Sequence, residues 1–230
     1  MQGNYSVAID GPSGAGKSTI ARAAAKRFGF LYVDTGAIYR TVGLAVERCG
    51  FEAGDEASVK ALLPKLDITL GRDGGGVQTE WLNGEDVSGL IRTPEISRRA
   101  SEVSAMPSVR GFLLDMQRSL AASTSVIMDG RDIGTVVLPD ADLKVFLTAS
   151  PAKRAERRLA ELLAAGCDTT LEEVLHEIAE RDERDTSRSA APLRRAEDAV
   201  EVDTSALTLA ESIDAVCRLI SDRLGVKACD

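Results

Sequence analysis

Short apolar runs alternate with amphipathic stretches along most of the chain. Tyr5 to Ile9 (YSVAI), Phe30 to Val33 (FLYV), Ser125 to Met128 (SVIM), Leu143 to Leu147 (LKVFL) and Ala199 to Val202 are brief and continuous, which predicts buried strands of a parallel sheet. Helical periods lie between them. Thr19 to Phe28 puts Ile20, Ala24 and Phe28 on one face, and after Asp34 the positions Ile38, Val42, Ala45, Val46 and Cys49 repeat in the same way. Pro151 to Ala165 predicts a further helix. Thr170 with Glu173 forms a capping box for one that runs to about Arg184. Thr208 with Glu211 caps the last, which ends at Gly225, and residues 226–230 are expected to fray.

The stretch from Gly50 to Thr124 breaks this alternation. Glu56 to Leu66 predicts a helix capped by Asp55, with Pro64 weakening its last turn. Asp67 to Leu70, Val77 to Leu82 and Glu85 to Val87 follow, and Asn83-Gly84 between the last two is a strong hairpin signal. A small three-stranded antiparallel meander is expected, with the only tryptophan, Trp81, in its core. Thr93-Pro94 opens a helix to about Ala105. Pro107 opens another, with Val109, Leu113, Met116 and Leu120 on its inner face.

Composition narrows the class. The chain has 230 residues, 44% of them hydrophobic, enough for a substantial core. Its net charge of −8 argues against nucleic acid or an anionic membrane as the main partner, though not against a locally basic cleft. Cys49, Cys167, Cys217 and Cys229 show no C-x-x-C spacing, and the single His176 offers no zinc partner, so reduced cytosolic thiols are expected. His176 itself lies in a charged helix and is expected at the surface. No run is long and apolar enough to span a bilayer, and residues 1–10 lack the features of a signal peptide.

The candidate chemistry starts at Gly11-Pro12-Ser13-Gly14-Ala15-Gly16-Lys17-Ser18, which fits G-x-x-x-x-G-K-[ST] between a predicted strand and a predicted helix. Gly11, Gly14 and Gly16 allow positive φ and close approach to a ligand. Successive N–H groups and the helix N-terminus make an anion nest. Lys17 can reach the β- and γ-phosphates, and the Ser18 hydroxyl can ligate Mg²⁺.

Further charges follow predicted strands, where open α/β sheets place their ligands. Asp34 and Thr35 would face that crevice or simply cap a helix. Tyr39 and Arg40 stand one turn on, and read alone Arg40 has a solvated helix charge as its alternative. Asp129-Gly130-Arg131-Asp132 ends the strand at Met128. Arg181, Asp185 and Arg188 recur at helical spacing, as phosphate or sugar ligands or as an exposed ion-pair ladder. Arg98, Arg99, Ser101 and Arg110 read individually as solvent-facing. Together, Arg131, Arg188 and the Arg154/Arg157/Arg158 group could surround a phosphate acceptor, since the guanidinium fork binds phosphate and stays charged.

With these residues in view, the chain resembles the bacterial cytidylate kinases almost end to end. The resemblance rests on GPSGAGKS (11–18), DTGAIYR (34–40), EDVSGLIRTPEIS (85–97), DGRDIGTVV (129–137) and RDERD with Arg188 (181–188). It implies an α/β fold with a P-loop NTPase-type parallel sheet, a core of about 1–50, 125–153 and 189–230, a CMP-binding insert of about 51–124 and a helical lid of about 154–188. It implies ATP on Gly11, Pro12, Ser13, Gly14, Ala15, Gly16, Lys17, Ser18, Thr19 and Arg157. Ser101, Arg110 and Asp132 would read cytosine, and Arg181 and Asp185 the sugar. Arg40, Arg131 and Arg188 would hold the acceptor phosphate beside Thr35 and Tyr39. Lys17, Arg131, Arg154, Arg158 and Arg188 would act on the phosphoryl group in transfer. Thr35 stands where that family often has serine, and the hydroxyl is kept.

The implied activity is transfer of the γ-phosphoryl group of ATP to CMP or dCMP with Mg²⁺, by a cytoplasmic monomer with no nucleic-acid or membrane partner. Other small-molecule P-loop kinases explain the phosphate loop but not the DTGAIYR and DGRDIGT pair. A GTP-driven switch would need an N-K-x-D motif, which the sequence lacks.

Overall fold

The computed structural model describes residues 4–52 and 54–229. Its strands are β1 (Ser6–Asp10), β2 (Leu31–Asp34), β3 (Ile68–Arg72), β4 (Gln78–Leu82), β5 (Glu85–Asp86), β6 (Val126–Gly130), β7 (Leu143–Thr148) and β8 (Val200–Asp203). Its helices are α1 (Lys17–Phe28), α2 (Thr35–Arg48), α3 (Glu56–Leu62), α4 (Pro94–Val103), α5 (Pro107–Ser123), α6 (Pro151–Ala164), α7 (Leu171–Ser187) and α8 (Leu209–Leu224). The chain forms two compact units, one up to Tyr32 and from Ala121 onward, the other Val33–Leu120.

The first unit is built on a parallel sheet in the order β2-β6-β1-β7-β8. β1 is central because its residues are apolar on both faces: Val7 pairs with Ile127 on one side and Leu143 on the other. Ile9, Ile20, Ala24, Phe28, Val216 and Ile220 are buried in the same core, which joins α1 and α8 to the sheet. The C-terminal tail departs from the expectation of fraying. Val226 packs on this core, and the Cys229 N–H donates to the Arg27 carbonyl at 2.7 Å. Only residue 230 of the predicted tail lies outside the described residues.

Helices α6 and α7 form a satellite of the same unit. Ala155, Leu162, Val174 and Ile178 make a small core of their own. Ser150 caps α6, and Thr170 with Glu173 makes the full capping box on α7. His176 is exposed on α7, 3.2 Å from Glu180.

The second unit holds α2 to α4, most of α5 and a separate antiparallel sheet, β3-β4-β5. Asp55 caps α3, and the α-helix gives way to a 3-10 turn at Leu63–Lys65, where Pro64 lacks the N–H to continue it. Asn83 (φ 52°) and Gly84 (φ 82°) make the two-residue turn between β4 and β5. One expectation fails here and one holds in part. Trp81 is 37% exposed, because β4 buries Gln78, Glu80 and Leu82 and turns Trp81 outward. The indole lies against Gly71, with Nε1 donating to Thr79 Oγ1 at 3.3 Å. On α5 the buried positions are Val109, Leu113 and Gln117, while Met116 and Leu120 are half-buried.

Candidate active site

The phosphate loop leaves the end of β1 and enters α1. Gly11, Gly14 and Gly16 all have positive φ, as the motif predicts. The first is obligatory for a second reason: a Cβ on Gly11 would stand 1.9 Å from the Leu147 carbonyl oxygen of β7. Gly16 caps α1 without a side-chain bond, and no acidic residue occupies the first turn, so no carboxylate competes for the helix N-terminus. Pro12 and Ala15 are buried, and Thr19 is exposed on the first turn. Lys17 is buried and its Nζ donates to the Pro12 carbonyl at 2.7 Å. Burial, and then the Arg131 guanidinium, push the Lys17 ammonium well below its ordinary range.

Ser18 Oγ donates to Asp129 Oδ2 at 2.9 Å, and Tyr32 donates to the other oxygen at 2.8 Å. Asp129 lies in β6, the strand beside β1, one residue before its end. A hydroxyl and a carboxylate here are the hard oxygen donors that suit Mg²⁺. Asp10 ends β1 itself. Its carboxylate accepts the Ile133 and Gly134 N–H groups at 2.8 and 2.7 Å, pinning the turn that follows Arg131 and Asp132.

Arg131 Nε donates to Asp185 Oδ2 at 2.8 Å. Arg188 Nε donates to the Ala191 carbonyl at 2.7 Å, and its guanidinium stands 3.6 Å from Asp132 and 3.9 Å from Asp185. Burial works to raise the Asp185 pKa, but Arg131 and Arg181 outweigh it and hold the carboxyl below its usual range. The structure thus brings Arg131, Asp132, Arg181, Asp185 and Arg188 into one mixed-charge cluster, its carboxylates buried and its arginines half-buried. The ladder reading of the Arg181–Arg188 run fails for Asp185, which is buried.

Of the α6 arginines, Arg154 is 3% exposed. Its NH1 donates to the Ser13 carbonyl at 3.0 Å, and its fork grips Asp182 at 3.1 and 2.6 Å. Arg157 donates to the Thr204 carbonyl at 2.8 Å and hydroxyl at 3.1 Å. Arg158 stands one turn beyond Arg154 on α6, half-buried, with its NH1 3.1 Å from Glu161.

In the second unit, Asp34 caps α2 through Ala37 N–H at 2.8 Å and pairs with Arg40 NH2 at 3.0 Å. Its capping and its strand-end position are therefore both realised. Thr35 is buried at the start of α2. Arg110 donates to the Ser104 carbonyl at 3.0 Å and lies 5.6 Å over the Tyr39 ring. Ser101 Oγ is buried with no hydrogen-bond partner in the described structure.

Asp10 and Asp182 escaped sequence reasoning, and Asp129 was placed in a crevice-facing turn without a role of its own. Asp10 carried a usable signal: like Asp34, it is an aspartate that closes a buried strand. Asp182 had none, because a helix face rich in both charges does not say which pair is buried.

A model of the cytidylate kinase family matches residues 7–222. The cytidylate kinase of Geobacter sp. strain M21 is 49% identical over 218 residues, covering 95% of this chain and 93% of that protein. That of Carboxydothermus hydrogenoformans is 49% identical over 216 residues, covering 93% and 96%. That of Geobacter sulfurreducens is 48% identical over 217 residues, covering 94% and 93%. The span matched by the family model runs from the phosphate loop through the small antiparallel sheet to the Arg131–Arg188 cluster, and the chain belongs to the cytidylate kinase family.

Proposed function

We propose that the protein transfers the γ-phosphoryl group of ATP to the phosphate of CMP or dCMP, releasing ADP and CDP or dCDP. The carrying observation is that the phosphate loop, Asp129 and the Arg131–Asp185–Arg188 cluster belong to one unit of a chain in this family. The phosphate loop suits the triphosphate, and Arg131 and Arg188 suit the acceptor phosphate. In the reaction, the bond from γ-phosphorus to the bridging oxygen breaks and one to an acceptor phosphate oxygen forms. An acceptor phosphate is mostly dianionic at neutral pH, its second pKa lying near ~6, so the residues here need not take a proton from it. Their work is positioning and charge stabilisation.

Lys17 and Arg154 are suited to steadying the γ-phosphoryl oxygens, with Arg157 and Arg158 available from α6. Ser18 and Asp129 would hold Mg²⁺, which neutralises phosphate charge when bound with ATP. Asp185 and Arg181 fit the sugar hydroxyls. In the second unit, Arg40 with Thr35 and Tyr39 suits a phosphate, and Ser101 and Arg110 suit the edge of a base. Among the described residues no helix is long and apolar enough to cross a membrane. A cytoplasmic monomer, with neither nucleic acid nor membrane as partner, completes the reading, and gel filtration tests its size.

The decisive test is ADP release from ATP and Mg²⁺ with a panel of acceptors: CMP, dCMP, UMP, AMP, shikimate and dephospho-coenzyme A. CMP and dCMP are expected to react fastest, with UMP slower. AMP or shikimate ahead of CMP would overturn the reading.

A further inference from the structure

Two polar side chains of the small sheet are buried where an apolar pair would pack at less cost. Gln78 and Glu80 point inward from β4, and Glu80 is fully buried. Burying a carboxylate is unfavourable unless its partners compensate. Here Glu80 Oε1 accepts from Gln78 Nε2 at 2.8 Å, while Oε2 has no hydrogen-bond partner in the described structure. Burial raises the pKa of the Glu80 carboxyl, and Gln78 and then the positive field of Arg92 and Arg40 oppose that rise.

The rest of the Gln78 amide is spent on a single residue. Its Oε1 accepts the Asp34 N–H at 2.9 Å, and its Nε2 also donates to the Asp34 carbonyl at 3.3 Å. Asp34 in turn holds Arg40 through its carboxylate at 3.0 Å. Arg40 Nε is buried without a hydrogen-bond partner in the described structure, so one face of the guanidinium retains a donor. The contacts run without a break from Glu80 through Gln78 and Asp34 to Arg40.

We propose that Gln78 and Glu80 are positioning residues: they lock the Asp34 backbone so that Asp34 presents the Arg40 guanidinium to the acceptor phosphate in one orientation. The inference rests on the reading of Arg40 as a ligand of that phosphate. It gives the polar face of β4 a task in the reaction, acting through Arg40 and touching no substrate.

A double-mutant cycle tests it, with kcat/KM measured separately for CMP and ATP. Arg40→Met is expected to lower kcat/KM for CMP by roughly 10- to 100-fold, the scale of a lost charged hydrogen bond. Gln78→Met keeps the length of the side chain and removes both bonds to Asp34. It should lower kcat/KM for CMP about tenfold and leave the KM for ATP within about twofold. The double variant should be no worse than Arg40→Met alone. Glu80→Gln preserves shape and should move CMP kinetics in the same direction, and it carries the cycle if Gln78→Met does not fold. Additive losses, equal losses for CMP and ATP, or wild-type CMP kinetics in both β4 variants would overturn the proposal. Unchanged CMP kinetics in Arg40→Met would instead remove the reading of Arg40, and the inference with it, so the single variant tells the two failures apart.

Discussion

Arg110 donates to the Ser104 carbonyl and lies over the Tyr39 ring, contacts that orient its guanidinium. Asp132 is buried behind the Asp10 clamp. Cytosine offers an N4 amino donor and an N3 acceptor, and uracil reverses both. An arginine donor, or an aspartate acceptor, would each on its own distinguish them, at roughly 1–3 kcal/mol per lost pairing. Arg110→Met and Asp132→Ala are each expected to reduce kcat/KM for CMP by about tenfold to hundredfold while changing UMP much less. Equal proportional loss for both acceptors would mean that neither residue reads the base. Asp10 makes a different prediction. Burial, partly offset by the Gly134 and Ile133 N–H bonds, pushes its carboxyl from 3.8 up to about 6. A raised folded pKa means that the group's contribution to stability is present below 3.8 and lost as pH rises through about 6. Relative to Asp10→Asn, the wild type should lose roughly 3 kcal/mol of unfolding free energy across that window. Parallel pH profiles of the two proteins in urea denaturation would contradict this.

At the scale of elements, the apolar core between α6 and α7 is small: Ala155, Leu162, Val174 and Ile178, with Leu159, Cys167 and Leu175 half-buried against them. A core this small implies low local stability and easy opening. Amide exchange across residues 154–170 is expected to slow when ATP and CMP are bound together, as closure over the substrates demands. Unchanged exchange would remove these helices from the mechanism. The helices and parallel strands were legible from periodicity, and their ends from Asp55, Thr93, Thr170 and Thr208, because capping is local chemistry. β4 was legible as a strand but not as to face. Alternation in Gln-Thr-Glu-Trp-Leu separates Trp81 from Glu80 without saying which is inside. Hydrophobicity favoured Trp81, and the bonds from Gln78 to distant Asp34 decided otherwise. Gln117 displaced Met116 on α5 in the same direction. At the site, the phosphate loop was legible because its residues are contiguous. The carboxylate partners of Arg131, Arg154 and Ser18 lie 28 to 111 positions away, beyond the reach of local pattern.

For the whole molecule, the chain passes between its two units inside β2 and again inside α5, at Tyr32–Val33 and Leu120–Ala121. Neither passage is a flexible linker, so losing one unit frays an element that the other uses. A single calorimetric transition is expected, with the van't Hoff enthalpy equal to the calorimetric one. Two resolved transitions would show the units to be independent. The net charge of −8 is likewise a property of the whole and not of the site, where Lys17, Arg131, Arg154, Arg181 and Arg188 are concentrated in the first unit. Nucleotide affinity should thus follow these few cations and not the overall charge.

The outward turn of Trp81 has an optical consequence. The chain has one indole, on the outer face of the small sheet and against Gly71. Excited at the red edge of its absorption, the protein emits from that one place. Its fluorescence is a local gauge of the meander, already open to a quencher such as acrylamide in the native state. The Glu80→Gln and Gln78→Met proteins can therefore be examined without a label: an unchanged emission maximum and quenching constant would mean that β4 keeps its face, and that any altered kinetics come from Asp34 and Arg40.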